Sequence, residues 1–170
     1  MRVIALVGPT AVGKSAAALD LAERLNAEIV SADSMQVYVG MDIGTAKPSL
    51  AEQQRVPHHM IDVWDVDHEV SVVEFRDRAR RCIEDALGRG ATVLVVGGSW
   101  LYVQAILDDL DFPGTEPEIR ARLEEELVAL GPEQLHARLA DLDPEAAAAI
   151  LPTNGRRIVR ALEVVELRGS

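Results

Sequence analysis

The sequence predicts an α/β protein, with a parallel sheet flanked by helices and a helical segment behind it. Over roughly the first hundred residues, short apolar runs alternate with longer helix-like stretches, which is the pattern of strand–helix–strand units. The first run, 3–7, is apolar throughout, as expected for a strand that is buried on both faces. After about residue 115 only helical patterns remain. We therefore expect an α/β catalytic core over residues 1–115 and a helical insertion or tail over residues 116–170.

The composition is that of an ordinary globular protein. The 170 residues carry a formal charge of −11 and are 48% apolar, and a chain of this size buries roughly 70% of the surface that it exposes when unfolded. The single cysteine, Cys82, excludes an internal disulfide and a cysteine-based zinc site. No apolar stretch approaches the ~20 residues of a membrane helix, and the first residues do not resemble a signal peptide. We expect a cytoplasmic protein without membrane contacts, whose acidity argues against indiscriminate nucleic-acid binding but allows a local basic site.

Four strands are expected in the core. The first is the apolar run 3–7, which ends at Gly8 and Pro9. Further runs predict strands over 28–31, 59–63 and 92–96, and the last of these is followed by Gly97 and Gly98. Residues 35–57 contain several glycines and prolines and predict a loop with at most one helical turn.

Helices are expected between the strands and throughout the tail. The alanine- and leucine-rich stretch 14–25 predicts the first helix. Ser71 and Glu74 have the spacing of a capping box, at the start of a helix that ends near Leu87. A helix over 100–107 follows the fourth strand, and the tail predicts four more over 117–130, 132–142, 144–151 and 156–167.

A phosphate-binding motif lies between the first strand and the first helix. The stretch 8–15 matches G-x-x-x-x-G-K-[ST], and its glycines allow backbone N–H groups to converge on an anion at the positive end of a helix. Lys14 supplies a cation for the outer phosphates, and the Ser15 hydroxyl is a ligand for Mg²⁺. The motif predicts a P-loop NTPase-like core, of the kind usually associated with ATP, that binds a polyphosphate through Gly8, Pro9, Thr10, Ala11, Val12, Gly13, Lys14 and Ser15. It does not identify the polyphosphate, and a glycine-rich turn without a ligand is the alternative.

An acidic residue follows the second strand. In an open parallel sheet, ligands bind beyond the carboxyl ends of the strands, so Asp33 is expected to face the same crevice as the phosphate loop. It would either hold Mg²⁺ or accept a proton from a nucleophile, and the alternative is that it caps a turn through Ser34 or Gln36. The fourth strand is followed by Gly97, Gly98 and Ser99 and not by an acid, which argues against a motor or switch ATPase.

Six blocks of residues, in order, resemble the tRNA dimethylallyltransferase (tRNA isopentenyltransferase) family. They are 8–15, 33–38, 41–48, 57–62, 97–102 and 156–163. The resemblance implies transfer of a dimethylallyl group from dimethylallyl diphosphate to N6 of adenosine 37, in the anticodon loop of tRNA, by a monomeric enzyme that uses Mg²⁺. It implies that Asp33 is the general base and that Thr10 and Lys14 act at the reacting centre, with the phosphate loop binding the diphosphate leaving group.

The same resemblance implies a set of contacts with tRNA. The implied residues are Asp33, Ser34, Met35, Gln36, Ser99, Arg120, Arg156, Arg157, Ile158, Val159 and Arg160. Each polar member has a structural alternative. Gln36 would be a polar loop side chain, Ser99 a helix cap and Arg120 an ion-pair partner of Glu116 or Glu124. The arginine cluster of 156–160 would pair with acids such as Glu163 instead of RNA phosphates.

Other features depart from the family or point elsewhere. Trp100 stands where the family has glycine, and its indole is expected to fill or narrow the substrate channel. The chain is shorter than family members and corresponds to a C-terminally truncated one. His58 and His59 allow a metal site, but adjacent histidines rarely bind one ion, so a structural role is favoured. Cys82 is expected to be packed in a helix.

Three other functions remain open at this point. One is an isopentenyltransferase that acts on free adenine nucleotides. Another is a small-molecule kinase, since kinases share the phosphate loop and use an acid to activate a hydroxyl. The last is a nucleotide-binding fragment that is inactive because it is truncated.

Overall fold

The fold begins with a four-stranded parallel sheet. The computed structural model describes residues 2–9, 12–110 and 112–169. The strands are β1 (Val3–Val7), β2 (Ala27–Ser31), β3 (His58–His59) and β4 (Thr92–Gly97), in the order β1-β4-β2-β3. All three pairings are parallel, which confirms the predicted fold class.

Helices cover both faces of this sheet. They are α1 (Lys14–Leu25), α2 (Leu50–Arg55), α3 (Val72–Gly88) and α4 (Trp100–Leu107). On one face α1 packs Leu19 against Ile29 and Leu94. On the other face α3 and α4 enclose Val30, Val93 and Val95. Successive residues at the centres of β2 and β4 thus enter different cores, which is why both faces of these strands carry apolar side chains there. β1 differs: it lies at the edge of the described sheet, and Val3 and Val7 are 41% and 42% exposed, so the expected burial on both faces is not found for this strand.

The third strand is shorter than the sequence predicts. A strand over 59–63 was expected, but only His58 and His59 pair with β2. Met60 and Asp62 have positive φ angles of 63° and 51°, and a strand requires a negative φ. The apolar content of this run therefore reflects burial of Met60, which is 2% exposed, and not an extended backbone.

The capping patterns differ between two helices. At α3 the Ser71 hydroxyl accepts a hydrogen bond from the backbone N–H of Glu74, as predicted, but the Glu74 carboxylate contacts His68 instead of completing the box. A complete capping box forms at α2, between Ser49 and Glu52. This S-x-x-E pattern lies in the stretch predicted as loop, so the six-residue helix was missed although its start signal is in the sequence.

The tail forms four helices around a core of its own. They are α5 (Pro117–Leu130), α6 (Pro132–Leu142), α7 (Pro144–Ala149) and α8 (Gly155–Arg168). Leucines from α5, α6 and α8 are buried together, among them Leu123, Leu139 and Leu162. The chain divides into two compact units, Met1–Leu110 and Asp111–Ser170. Among the described residues, no helix combines the length and the apolar character needed to cross a membrane.

Candidate active site

The carboxyl ends of β2 and β4 are held tightly together. The backbone N–H of Ala32 donates to the carbonyl of Val96 over 2.8 Å. A Cβ on Gly97 would lie within 2.8 Å of the Ala32 Cβ, so only glycine fits this position. The close approach brings Asp33, just after β2, and Gly98, just after β4, to one edge of the sheet.

The phosphate loop reaches the same edge from β1. Gly13 has a φ of 84°, which favours glycine and allows the chain to turn into α1. The Lys14 ammonium donates to the carbonyl of Pro9, within the loop. Thr10 and Ala11 lie outside the described residues, so the role expected of Thr10 stays a prediction.

A cavity of about 680 Å³ opens at this edge. The residues predicted from the motifs that line it are Gly13, Lys14, Ser15, Asp33, Met35 and Gln36. Gly97 and Gly98 form another part of its wall. The expectation that the phosphate loop and the acid after β2 face one crevice is therefore met.

Asp33 has two carboxylate oxygens in different surroundings. Its Oδ1 accepts a hydrogen bond from the backbone N–H of Met35 over 2.8 Å. Asp33 thus caps a turn, as in the alternative considered above, but through Met35 and not through Ser34 or Gln36. Among the described residues no hydrogen bond to Oδ2 is found. Because the side chain also lines the cavity, the turn fixes the carboxylate and leaves one oxygen for a ligand.

The side-chain amide of Gln36 is hydrogen-bonded to other residues of the protein. It is 9% exposed, and its Oε1 accepts from the Ser31 hydroxyl over 2.8 Å. Its Nε2 donates to the carbonyls of Thr45 and Ala46. The amide therefore fastens the loop 41–48 to the end of β2. The expected contact with tRNA stays a prediction, as it does for Ser34 and for Met35, which is 42% exposed.

Lys47 is a cavity residue to which sequence reasoning assigned no role. Its side chain is 5% exposed, and its ammonium lies 2.7 Å from Asp42 and 2.6 Å from Asp62. It also donates to the carbonyl of Tyr38. Burial acts to lower the pKa of Lys47, but the hydrogen bonds to Asp42 and Asp62 outweigh it and raise the pKa. Lys47 therefore stays charged and pins the loop that forms one wall of the cavity.

The two adjacent histidines face different surroundings. His58 lines the cavity, and its Nδ1 donates to the carbonyl of Val56. Burial lowers the pKa of His58, so the ring is neutral and its other nitrogen is an acceptor. His59 contacts Glu28 instead, over 2.6 Å. Among the described residues no cluster of three or more potential metal ligands is found.

Ser99 and Trp100 lie where β4 passes into α4. Ser99 is the N-cap residue of α4, without a capping hydrogen bond from its side chain. Trp100 is 62% exposed and does not line the main cavity. It lines a second, smaller depression beside Gly8, and the expectation that its indole fills or narrows the substrate channel stays a prediction.

The predicted basic residues of the helical unit have mixed surroundings. Arg120 and Arg160 both contact the carboxylate of Glu163, at 2.5 and 2.7 Å. Glu163 is completely buried and also accepts from the backbone N–H of Glu116. The pairing alternative thus describes these two arginines, although the partner of Arg120 is neither Glu116 nor Glu124.

The remainder of the 156–160 cluster separates into exposed and buried side chains. Arg156 and Arg157 are exposed. Ile158 and Val159 are 0% and 3% exposed and belong to the core of the helical unit. The side chains available to a phosphate backbone on this helix are therefore those of Arg156 and Arg157, and their contact with tRNA stays a prediction.

Curated relatives share this sequence over almost its whole length. The tRNA dimethylallyltransferase of Acidothermus cellulolyticus is 64% identical over 166 residues, which cover 98% of this chain and 52% of that protein. That of Thermobifida fusca is 60% identical over 172 residues, covering 98% of this chain and 54% of that protein. The chain spans about half the length of the curated relatives it matches.

Solved structures show the same fold. A tRNA isopentenylpyrophosphate transferase from Bacillus halodurans matches with a TM-score of 0.63 and 46% identity, over 99% of this chain and 56% of that one. A eukaryotic dimethylallyltransferase acting on tRNA matches with a TM-score of 0.83 and 30% identity, over 100% of this chain and 43% of that one.

The family match covers the elements that complete the cavity as well as the helical unit. The model of the family described as IPP transferase matches residues 36–170. This range begins at Gln36, three residues after the acid that follows β2, and includes the loop pinned by Lys47. Since the match extends over most of the sequence and the relatives agree with it, the chain belongs to the IPP transferase family.

Proposed function

We propose that this chain carries the catalytic site of a tRNA dimethylallyltransferase. The reaction moves a dimethylallyl group from dimethylallyl diphosphate to the N6 amine of the adenosine beside the anticodon of tRNA, and releases diphosphate. The observation that carries the proposal is that Lys14, Ser15 and Asp33 line one cavity. A diphosphate bound by the phosphate loop and an amine bound at the carboxylate would therefore meet inside the same space.

The phosphate loop supports departure of the diphosphate. Breaking the allylic C–O bond leaves negative charge on the diphosphate oxygens. The amino end of α1 and the Lys14 ammonium place positive charge beside them, and such preorganised charge stabilises the transition state. The Lys14 contact with the Pro9 carbonyl would be exchanged for phosphate oxygens when the substrate binds.

Asp33 supports attack by the amine. The lone pair of an exocyclic adenine amine is delocalised into the ring, so the amine is a weak nucleophile. As the new C–N bond forms, the amine becomes acidic and its proton passes to the carboxylate. The hydrogen bond from the Met35 N–H to Oδ1 holds the carboxylate in place and leaves Oδ2 to take the proton.

The residues at the site fit a magnesium ion. Mg²⁺ prefers oxygen ligands and is commonly bound by one or two carboxylates together with substrate phosphates and water. The Ser15 hydroxyl and the Asp33 carboxylate supply oxygens in this cavity, and the Ser15 hydroxyl is the ligand that we propose. When bound, the ion would neutralise charge on the diphosphate.

The acceptor adenine has to leave the anticodon-loop stack to reach Asp33. Extruding a base costs a few kcal/mol, and less from a single-stranded loop. In this proposal the exposed Arg156 and Arg157 bind RNA phosphates, which fixes orientation without reading sequence.

A labelling experiment tests the proposed function. The chain is incubated with Mg²⁺, labelled dimethylallyl diphosphate and either unmodified tRNA, AMP or no acceptor. We expect label in tRNA alone. Label in AMP would instead indicate the free-nucleotide enzyme, phosphate transfer from ATP without prenyl transfer would indicate a kinase, and no transfer to any acceptor would overturn the proposal for this chain.

The variant Asp33→Asn tests the base. Asparagine retains an oxygen that can accept the Met35 hydrogen bond, so the turn should survive. We expect prenyl transfer to fall by about 100- to 10,000-fold, because the proton acceptor is lost. Asp20→Asn, at an exposed carboxylate of α1 that pairs with Arg24, is the matched control and should keep full activity. Unchanged turnover by Asp33→Asn would remove Asp33 from this role.

A further inference from the structure

Trp100 is a large aromatic residue in an unusual setting. It is the first residue of α4, directly after the end of β4. Its side chain is 62% exposed, and it does not belong to the cores on the two faces of the sheet. Covering apolar surface is favourable, so a ligand that covers the exposed ring would gain affinity from it.

A second depression lies against the Trp100 ring. It measures about 230 Å³, and its lining consists of Val7, Gly8, Gly97, Gly98 and Trp100. Because three of these five are glycines, most of the wall opposite the indole is bare backbone. A thin, flat group fits such a slot better than a branched aliphatic one.

The slot adjoins the main cavity. Gly97 and Gly98 line both of them, and Gly8 at the other side of the slot is the first residue of the phosphate motif. Whatever enters the slot therefore lies next to the group that enters the cavity.

The chemistry of the slot favours an uncharged ring. Among the described residues, none that lines the slot is charged. Every nucleobase has a flat π face, and stacking on an exposed aromatic side chain is a common way for proteins to hold single-stranded nucleic acid. The proposed substrate supplies such bases on either side of the extruded adenine.

We propose that Trp100 is a stacking platform for one nucleobase of the RNA acceptor, a neighbour in the strand of the adenine that enters the cavity. This inference rests on the proposed function and adds a binding site to it. The platform holds the adjacent base outside the cavity while the acceptor base is inside, so it contributes to RNA binding rather than to the chemical step.

Fluorescence of the indole provides a direct test. The chain has two tryptophans, and the other, Trp64, is already stacked against His68 and Arg78. The chain is titrated with an anticodon stem-loop RNA that carries inosine at the acceptor position, which has no amine to prenylate. We expect the RNA to quench the emission of the wild type and to leave that of Trp100→Phe, in which Trp64 alone emits, unchanged.

Affinity and kinetics provide the second readout. Trp100→Gly should weaken RNA binding about 10-fold, as loss of one stacked base does, and raise KM for RNA while leaving KM for dimethylallyl diphosphate unchanged. Trp100→Phe should retain most of the affinity. Leu101→Ala is the matched control, because Leu101 is exposed on the same turn and does not line the slot.

The RNA itself identifies the stacked base. An abasic nucleotide on the correct side of the acceptor should abolish the quenching, whereas one placed in the stem should not. Quenching that survives abasic substitution on both sides, or equal RNA affinity of the wild type and Trp100→Gly, would overturn the inference. If tRNA is prenylated normally in those cases, the proposed function stands; if the wild type neither binds nor prenylates RNA, both fail.

Discussion

A single side chain in this protein can make a structural contact and still face the cavity. Asp33 is held by the Met35 N–H and also lines the cavity, so capping a turn does not exclude the role of a base, which stays a prediction. The reason is that a carboxylate has two oxygens, each with its own lone pairs. For Gln36 the structural task uses Oε1 and Nε2 together.

Glu163 is a buried carboxylate of the helical unit that is paired with two arginines. Burial acts to raise the pKa of its carboxyl group, but hydrogen bonds from Arg120 and Arg160 outweigh it, so the pKa is lowered. The carboxylate is therefore charged at neutral pH inside a core. Removing the negative charge of Glu163 would leave the positive charges of Arg120 and Arg160 without this counter-charge.

Replacing this carboxylate should destabilise the helical unit. We expect Glu163→Gln to lower the free energy of unfolding by about 3 kcal/mol, at the low end for a buried ion pair because the two arginine side chains are 37% and 35% exposed. Urea denaturation measures the change. Glu166→Gln is the control: this carboxylate is 23% exposed and pairs with Arg138 over 2.9 Å, and we expect a loss of about 1 kcal/mol.

At the scale of elements, the loop 41–48 is the part of the site that depends most on tertiary contacts. It has no strand or helix of its own. Gln36 holds it through the carbonyls of Thr45 and Ala46, and Lys47 holds it through Asp42 and Asp62. One wall of the cavity therefore rests on a few polar anchors rather than on backbone pairing.

Removing the lysine anchor should loosen this wall. We expect Lys47→Met to increase hydrogen exchange of residues 41–48 at least about 10-fold, because local opening no longer breaks the ion pairs. KM for both substrates should rise as well. Arg55→Gln, which removes an exposed pair with Glu23, is the control. Exchange as slow in Lys47→Met as in the control would show that Gln36 alone holds the loop.

At the scale of the whole molecule, charged pairs set the pH range of stability. Burial would raise the pKa of Glu28, but hydrogen bonds from Arg89 and His59 lower it. A carboxyl group with a lowered pKa stabilises the fold above its unfolded pKa, and this contribution is lost as the pH falls through the folded value. Protonation of Glu28 and Glu163 should therefore lower the free energy of unfolding below about pH 4.

His59 acts in the opposite direction. A hydrogen bond with the Cys82 thiol, opposed by burial and assisted by Glu28, raises the pKa of His59. Its contribution is fully present below the unfolded pKa of about 6.5 and is lost as the pH rises through the higher folded value.

The histidine contribution can be isolated by mutation. We expect the difference in unfolding free energy between the wild type and His59→Gln to be largest near pH 6 and to shrink as the pH rises towards 8, since the wild type alone loses a stabilising charge. Denaturation at several pH values measures it. A difference that is independent of pH would contradict the assignment.

The expected monomeric state and cytoplasmic setting stay predictions.

Sequence reasoning was sufficient wherever a local pattern has one physical meaning. The runs of β2 and β4 form strands that are largely buried, and the glycines of the phosphate motif had to form a turn before α1. The run of β1 forms a strand as well, but one that is partly exposed. Sequence reasoning was insufficient for β3, where two positive φ angles end the strand, and for α2, whose capping box lies among turn-forming residues.

The sequence by itself determined the order of strands and helices, the phosphate motif and the acid after β2, because these depend on neighbours along the chain. Only the tertiary structure decided which polar groups are already paired within the protein and which face the cavity. Glu163 lies 43 residues from Arg120, and Lys47 lies 15 residues from Asp62; nothing in the spacing of these residues predicts either pair. Ion pairs between residues that are far apart along the chain form only where folding brings the groups together, whereas a pair such as Arg160 and Glu163, on one helix, can be predicted from the spacing.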